Sequence, residues 1–120
     1  MRTILFLSLS CFSVISLATR QPFYTYYQTN SIVNNGNETF IVYITKKDPC
    51  INIDYVKTGE TIRYCEVDNI GSDLFKDSED YTANEFDVEP DRFNYVVSGL
   101  WDDQLCTITI STKALKCIHD

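Results

Sequence analysis

Four cysteines, Cys50, Cys65, Cys106 and Cys117, constrain this chain more than any other feature of its sequence. A small domain buries little apolar surface, and covalent cross-links commonly make up the difference. Four cysteines in a short secreted chain read as two disulfides, with three possible connectivities. They lack the paired short spacing of a zinc site, so no metal and no cofactor is expected.

The first residues place the chain in an oxidising compartment. Met1-Arg2-Thr3 is a short positive start, and Ile4 to Leu17 is an apolar run broken only by serines. Ser16-Leu17-Ala18 puts small residues where a signal peptidase cleaves. Residues 1–18, including the fifth cysteine Cys11, therefore read as a secretory signal peptide too short to span a membrane. Residues 19–120 remain as a single secreted domain, expected to be a monomer without membrane association. Its location is extracellular, with delivery into host cells as a further option.

Charge narrows the partners. The chain has 17 acids against 10 bases, a formal net charge of −7. Nucleic acids are bound by basic surfaces that release counterions, so this balance argues against nucleic acid as the partner. The acids concentrate in residues 68–91, where Lys76 is the one base. The segment does not match the spacing of a calcium loop. It reads as a solvated loop with a short helical turn.

Elsewhere the pattern is β. Residues 39–45 ("TFIVYIT") are β-branched and aromatic, and Lys46-Lys47-Asp48-Pro49 ends them. Residues 51–56 ("INIDYV") alternate, Thr58-Gly59-Glu60 turns the chain, and residues 61–67 ("TIRYCEV") resume. Residues 93–98 ("FNYVVS") and 105–111 ("LCTITIS") close the series. The helix signal is weak and no internal repeat is visible. The expected fold is α+β: a small antiparallel sheet, mostly β, with at most one short helix, stapled by disulfides. An all-β sandwich is the alternative.

Cys106, Ile108 and Ile110 share one face, the buried one by composition. If Thr112-Lys113 is a two-residue turn, Ile108 lies opposite Cys117 and Ile110 opposite Leu115. The two cysteines then do not face each other, which favours bridges back to Cys50 and Cys65.

The stretch "DRFNYVV…DDQLCTITIS…KC" resembles the end of the small secreted fungal ribonucleases of the guanyl-specific type. On that likeness Asp91-Arg92 matches an Asp-Arg pair that opens a strand. Asp103-Gln104-Leu105 matches a loop, and Cys117 matches a terminal cysteine. "YCEV" places Glu66 where the family carries its catalytic glutamate. The position of the catalytic histidine falls near Ser111, and the usual N-terminal cysteine is missing. The resemblance therefore implies the inactive branch of this scaffold, used as secreted effectors that act on a host protein.

The chemistry points the same way. Cleaving RNA through its 2′-hydroxyl needs a base, an acid and a cation at the phosphate. Glu66 could be the base and Arg92 the cation. The acid is histidine's role, and His119, the single histidine, lies beyond the last cysteine where a tail is expected to fray. The expected function is therefore non-enzymatic binding of a protein from a host or neighbouring organism. One alternative is a degenerate but active ribonuclease using Glu66 and Arg92. Another is an immunoglobulin-like secreted immune modulator, because "KKDPCINIDY" resembles a cysteine-bearing strand of that family.

The candidate binding surface is aromatic: Phe23, Tyr24, Tyr26 and Tyr27, with Trp101, the one tryptophan. Asn37-Glu38-Thr39, beside the Asn34-Asn35-Gly36 turn, is an N-glycosylation sequon at Asn37.

Overall fold

Period-two alternation of apolar residues builds nearly the whole molecule. The computed structural model describes residues 23–67, 71–100 and 102–119; residues 1–18 and Trp101 lie outside them. The strands are β1 (Tyr24–Thr29), β2 (Phe40–Thr45), β3 (Asp48–Tyr55), β4 (Glu60–Tyr64), β5 (Glu66–Val67), β6 (Ser72–Asp73), β7 (Thr82–Val88), β8 (Arg92–Ser98), β9 (Asp103–Thr109) and β10 (Ala114–His119). A 3-10 turn spans Ile32–Asn34, and the described residues hold no α-helix. The chain is thus mostly β, antiparallel and doubly bridged, as expected. No helix among the described residues is long and apolar enough to cross a membrane.

Two four-stranded sheets carry the core. Sheet A has the order β1-β2-β3-β4 and sheet C the order β10-β9-β8-β7; β5 and β6 form a two-stranded pair. Alternation sends Phe40, Val42 and Ile44 inward from β2, and Ile51, Ile53 and Tyr55 inward from β3. Phe93, Tyr95 and Val97 of β8 and Cys106 and Ile108 of β9 meet them from the other sheet. Burying each such side chain stabilises by about 1.5–3 kcal/mol.

Directional contacts tie the sheets at both margins. On one side the Tyr26 ring packs 4.4 Å from Phe86 and 6.0 Å from Phe93. Asn30, fully buried, donates from Nδ2 to the Pro90 carbonyl at 3.0 Å, while its Oδ1 accepts from the amides of Thr39 and Phe40. On the other side the Tyr64 hydroxyl donates to the Lys113 carbonyl at 2.9 Å and sits 2.6 Å from the Tyr55 hydroxyl. The Lys113 ammonium reaches Glu60 at 2.6 Å.

The disulfides correct the expected pairing. Cys50 bonds Cys65 and Cys106 bonds Cys117, each within its own hairpin. The cause is a register difference of two residues. β9 and β10 are joined by the four residues Ile110 to Lys113, not by Thr112-Lys113 alone, so Leu115 faces Ile108 and Cys117 faces Cys106. A shift of two keeps every side chain on its face, so the alternation is equally satisfied by either register. Lys113 takes a left-handed backbone (φ 62°), and its amide bonds the Thr109 carbonyl at 2.7 Å. A lysine there gives no turn signal of the kind a glycine would.

The same device appears in the first half. Four residues, Val56 to Gly59, join β3 and β4; Gly59 is left-handed (φ 71°) and its amide bonds the Tyr55 carbonyl at 2.8 Å. Each half of the chain is therefore a four-strand meander whose third and fourth strands share this loop and a bridge. The repetition is one of architecture, with no counterpart legible in the sequence.

Two segments differ from expectation. Lys46-Lys47 alone turns the chain between Thr45 and Asp48, and Asp48 and Pro49 already belong to β3. Pro49 lies where the β2–β3 register shifts, a place that tolerates a missing amide donor. The acidic stretch holds β6 and β7 and no helix among its described residues. A bulge at Glu85 (φ 52°) in β7 turns Phe86 toward Tyr26 and Phe93.

Peptide mapping without reduction is expected to recover Cys50–Cys65 and Cys106–Cys117. Replacing either pair by serines is expected to cost about 3 kcal/mol in denaturant unfolding, from loops of 15 and 11 residues. Alkaline stability has a separate cause. Burial pushes the hydroxyls of Tyr55, Tyr64 and Tyr95 above the ordinary tyrosine value, and Tyr95 has no hydrogen-bond partner there. The folded state holds these protons more tightly than the unfolded chain does. Their contribution is complete below about pH 10 and is lost as the pH rises above it. Absorbance of ionised tyrosine followed with circular dichroism should show these groups titrating together with unfolding.

Candidate functional site

The outer face of sheet A gathers the exposed aromatics. A register shift between Tyr24 and Tyr26 sends successive tyrosines to opposite sides. Tyr24 pairs with Thr45 and Tyr27 with Tyr43, all on the outer face, while Tyr26 pairs with Ile44 and faces the core. Tyr24, Tyr27 and Phe23 are 41%, 52% and 62% exposed. Of the aromatics named from the sequence, Tyr24 and Tyr27 thus share a surface with Phe23 beside them, and Tyr26 does not join them.

Tyr43 completes the cluster. The ring centroids of Tyr24 and Tyr27 are 5.2 Å apart, and those of Tyr24 and Tyr43 are 5.6 Å apart. Tyr27 and Tyr43 stack at 6.4 Å. The Tyr43 hydroxyl donates to Asp54 Oδ1 at 3.2 Å, and the Thr61 hydroxyl donates to the same oxygen at 2.6 Å. Burial, then the Asp54 charge, raises the Tyr43 hydroxyl above the ordinary tyrosine value. A half-buried, hydrogen-bonded ring supports two freer ones, so the cluster is held in place.

Next to it, Arg63 grips Asp48 with two hydrogen bonds, 2.5 Å from Nε and 3.0 Å from the terminal nitrogen. The Arg63 guanidinium also lies 5.4 Å from the centre of the Phe75 ring. The Arg63 hydrogen bonds hold the Asp48 carboxyl below its ordinary range. Asp48 and the sulfurs of Cys50 and Cys65 come within 4.8 Å of one another, but the sulfurs are bonded together and offer no thiolate to a metal.

The ribonuclease candidates stand apart. Glu66 is exposed on β5 opposite Asp73, and Arg92, at the start of β8, pairs with Glu89 at 3.2 Å. No hydrogen bond or ion pair joins Glu66 to Arg92 among the described residues. Asp91 accepts from the amide and hydroxyl of Ser111 and so pins the β9–β10 loop. His119 is exposed and belongs to a strand. It is the last residue of β10, opposite Gln104, with Nδ1 2.7 Å from Asp102 Oδ2 and 2.8 Å from Gln104 Nε2. Protonated, that nitrogen donates to Asp102; unprotonated, it accepts from Gln104. Asn37 is exposed beside the 3-10 turn, its carbonyl accepting from Asn34.

Sequence reasoning passed over Tyr43, Asp54, Thr61 and Arg63. The alternation that sends Phe40, Val42 and Ile44 inward also sends Tyr43 outward, and that signal was available. No protein-family model, no curated protein and no solved structure matches this chain.

A carboxyl titration by NMR checks the Asp48–Arg63 pair. Asp48 is expected to titrate below 3.8, and Arg63→Gln to bring it back up. The pair's stabilisation is present above that ordinary value and is lost as the pH falls through the lowered one.

Proposed function

We propose that this chain is a secreted, non-enzymatic binding protein. Its partner is a protein of a host or neighbouring organism, and its contact surface is the tyrosine face of sheet A. The observation that carries this reading is the Tyr24–Tyr27–Tyr43 cluster: three neighbouring rings, two of them about half exposed, on the side of the sheet away from the core. Tyrosine supplies a large contact area at low entropic cost, and it concentrates at the energetic centres of interfaces. Two disulfides fit an oxidising compartment and so support secretion.

We read the two sheets as an all-β sandwich. The helix that the ribonuclease scaffold packs on its sheet has no counterpart among the described residues, and Asp103-Gln104-Leu105, which that likeness put in a loop, lies in β9. Immunoglobulin domains join their sheets by a bridge and by Greek-key connections, whereas here each bridge stays in one meander. Effector function is retained in this reading without descent from either family. Catalysis by Glu66 and Arg92 lacks support, because one is opposite Asp73 and the other is engaged by Glu89.

Capture from extracts of candidate hosts tests the surface. The Tyr24→Ala/Tyr27→Ala variant is expected to lose the partner that wild type retains, while Leu105→Ala/Ile118→Ala on sheet C keeps it. Equal capture by both variants, or RNA cleavage that disappears in Arg92→Ala, would sink the proposal.

A further inference from the structure

The tyrosine face ends at a turn that carries two exposed lysines. Lys46 and Lys47 form the turn between β2 and β3, both exposed, and neither has an ion pair among the described residues. The turn is fastened to the aromatic segment, because the Lys46 amide donates to the Phe23 carbonyl at 3.0 Å and Tyr24 pairs with the adjacent Thr45. The lysine turn therefore adjoins the strand ends that carry Tyr24 and Tyr43, and Lys46 also lines a cleft with Ile44, Tyr81 and Phe86.

The charge here opposes that of the whole chain. With Arg63, the turn and the outward strand residues of sheet A hold three bases against two acids, Asp48 and Asp54; Asp48 is held by Arg63, which the charge of Asp73 also reaches. The outer side of sheet C is the reverse. Its acids Glu85, Asp87, Glu89 and Asp103 outnumber Arg92 and Lys116. A net charge of −7 with two lysines beside the tyrosine face orients an approaching partner: acidic groups are drawn to that face and repelled from the more acidic opposite sheet.

Resting on the binding function proposed above, we propose that the tyrosine face takes an acidic segment of the partner protein, whose carboxylates meet Lys46 and Lys47 while its apolar side chains cover Tyr24 and Tyr27. Charge complementarity selects this occupant. A basic segment would face two unpaired ammonium groups, and a purely apolar one would cover two lysine side chains without pairing them.

Selection of random peptides on the intact secreted protein tests this. Wild type is expected to enrich peptides that combine Asp or Glu with apolar residues, and Lys46→Glu/Lys47→Glu to enrich basic ones. A selected acidic peptide should bind the reversed variant about tenfold more weakly. It should bind Lys46→Arg/Lys47→Arg and the sheet C control Lys116→Glu as it binds wild type, and the arginine variant also shows that the turn still folds. The inference is overturned if selection shows no acidic bias, or if acidic peptides bind the reversed variant unchanged. It is equally overturned if phosphatidylserine vesicles bind wild type and are lost on the same reversal, since the occupant is then a membrane. Partner capture separates the two claims. Loss in Tyr24→Ala/Tyr27→Ala with retention in Lys46→Glu/Lys47→Glu leaves the binding surface standing and removes the acidic partner. Retention in both removes both.

Discussion

Everything in this molecule depends on two one-sided sheets covering each other. A four-strand meander has one apolar face, and in water that face has to be buried. Phe40, Val42, Ile51 and Ile53 on one sheet and Phe93, Tyr95, Val97 and Ile108 on the other are each nearly or fully buried, and neither set could be buried by its own sheet. The margins then need polar closure. Asn30 provides it at one side and the Tyr55–Tyr64–Lys113 chain at the other, so backbone and hydroxyl groups at the seam stay bonded as the core dries.

Covering the inner faces leaves the outer ones to solvent, and the two differ. Sheet A presents rings, a gripped Arg63 and a lysine turn. Sheet C presents a polar row, in which Thr107 donates to Asn94 and Asn94 donates to Glu89, beside the aliphatic residues Val96, Leu105 and Ile118 in direct register. Two halves with one plan thus carry unlike surfaces, because the core constrains only every second residue of a strand. The other residues are free to differ, and in this chain they do.

The same alternation decides what the sequence could reveal. It made β2, β3, β8 and β9 legible, since inward Phe40, Val42, Ile44 and Cys106, Ile108, Ile110 repeat every second position. It could not make β1 legible, where the shift between Tyr24 and Tyr26 breaks the period, nor β7, where the bulge at Glu85 does so among acidic residues. Bridge pairing was out of reach for a related reason: registers two residues apart bury the same side chains, and only the loop conformation at Lys113 separates them. Of the surface, Tyr24 and Tyr27 were legible as aromatic residues. Their union with Tyr43 depends on strand pairing across positions far apart in the chain.

Because both disulfides lie inside hairpins, no covalent bond joins one half of the molecule to the other except the main chain between Val67 and Thr82. A single proteolytic cut in that span divides the protein into two pieces, each keeping its own bridge and its own four strands. Only non-covalent contacts would then hold them together: the packing of Phe40, Ile53, Phe93 and their neighbours, with the Asn30–Pro90, Tyr64–Lys113 and Glu60–Lys113 contacts at the margins. The molecule is cross-linked twice and yet remains, in its connectivity, a pair of halves that can be parted without reducing anything.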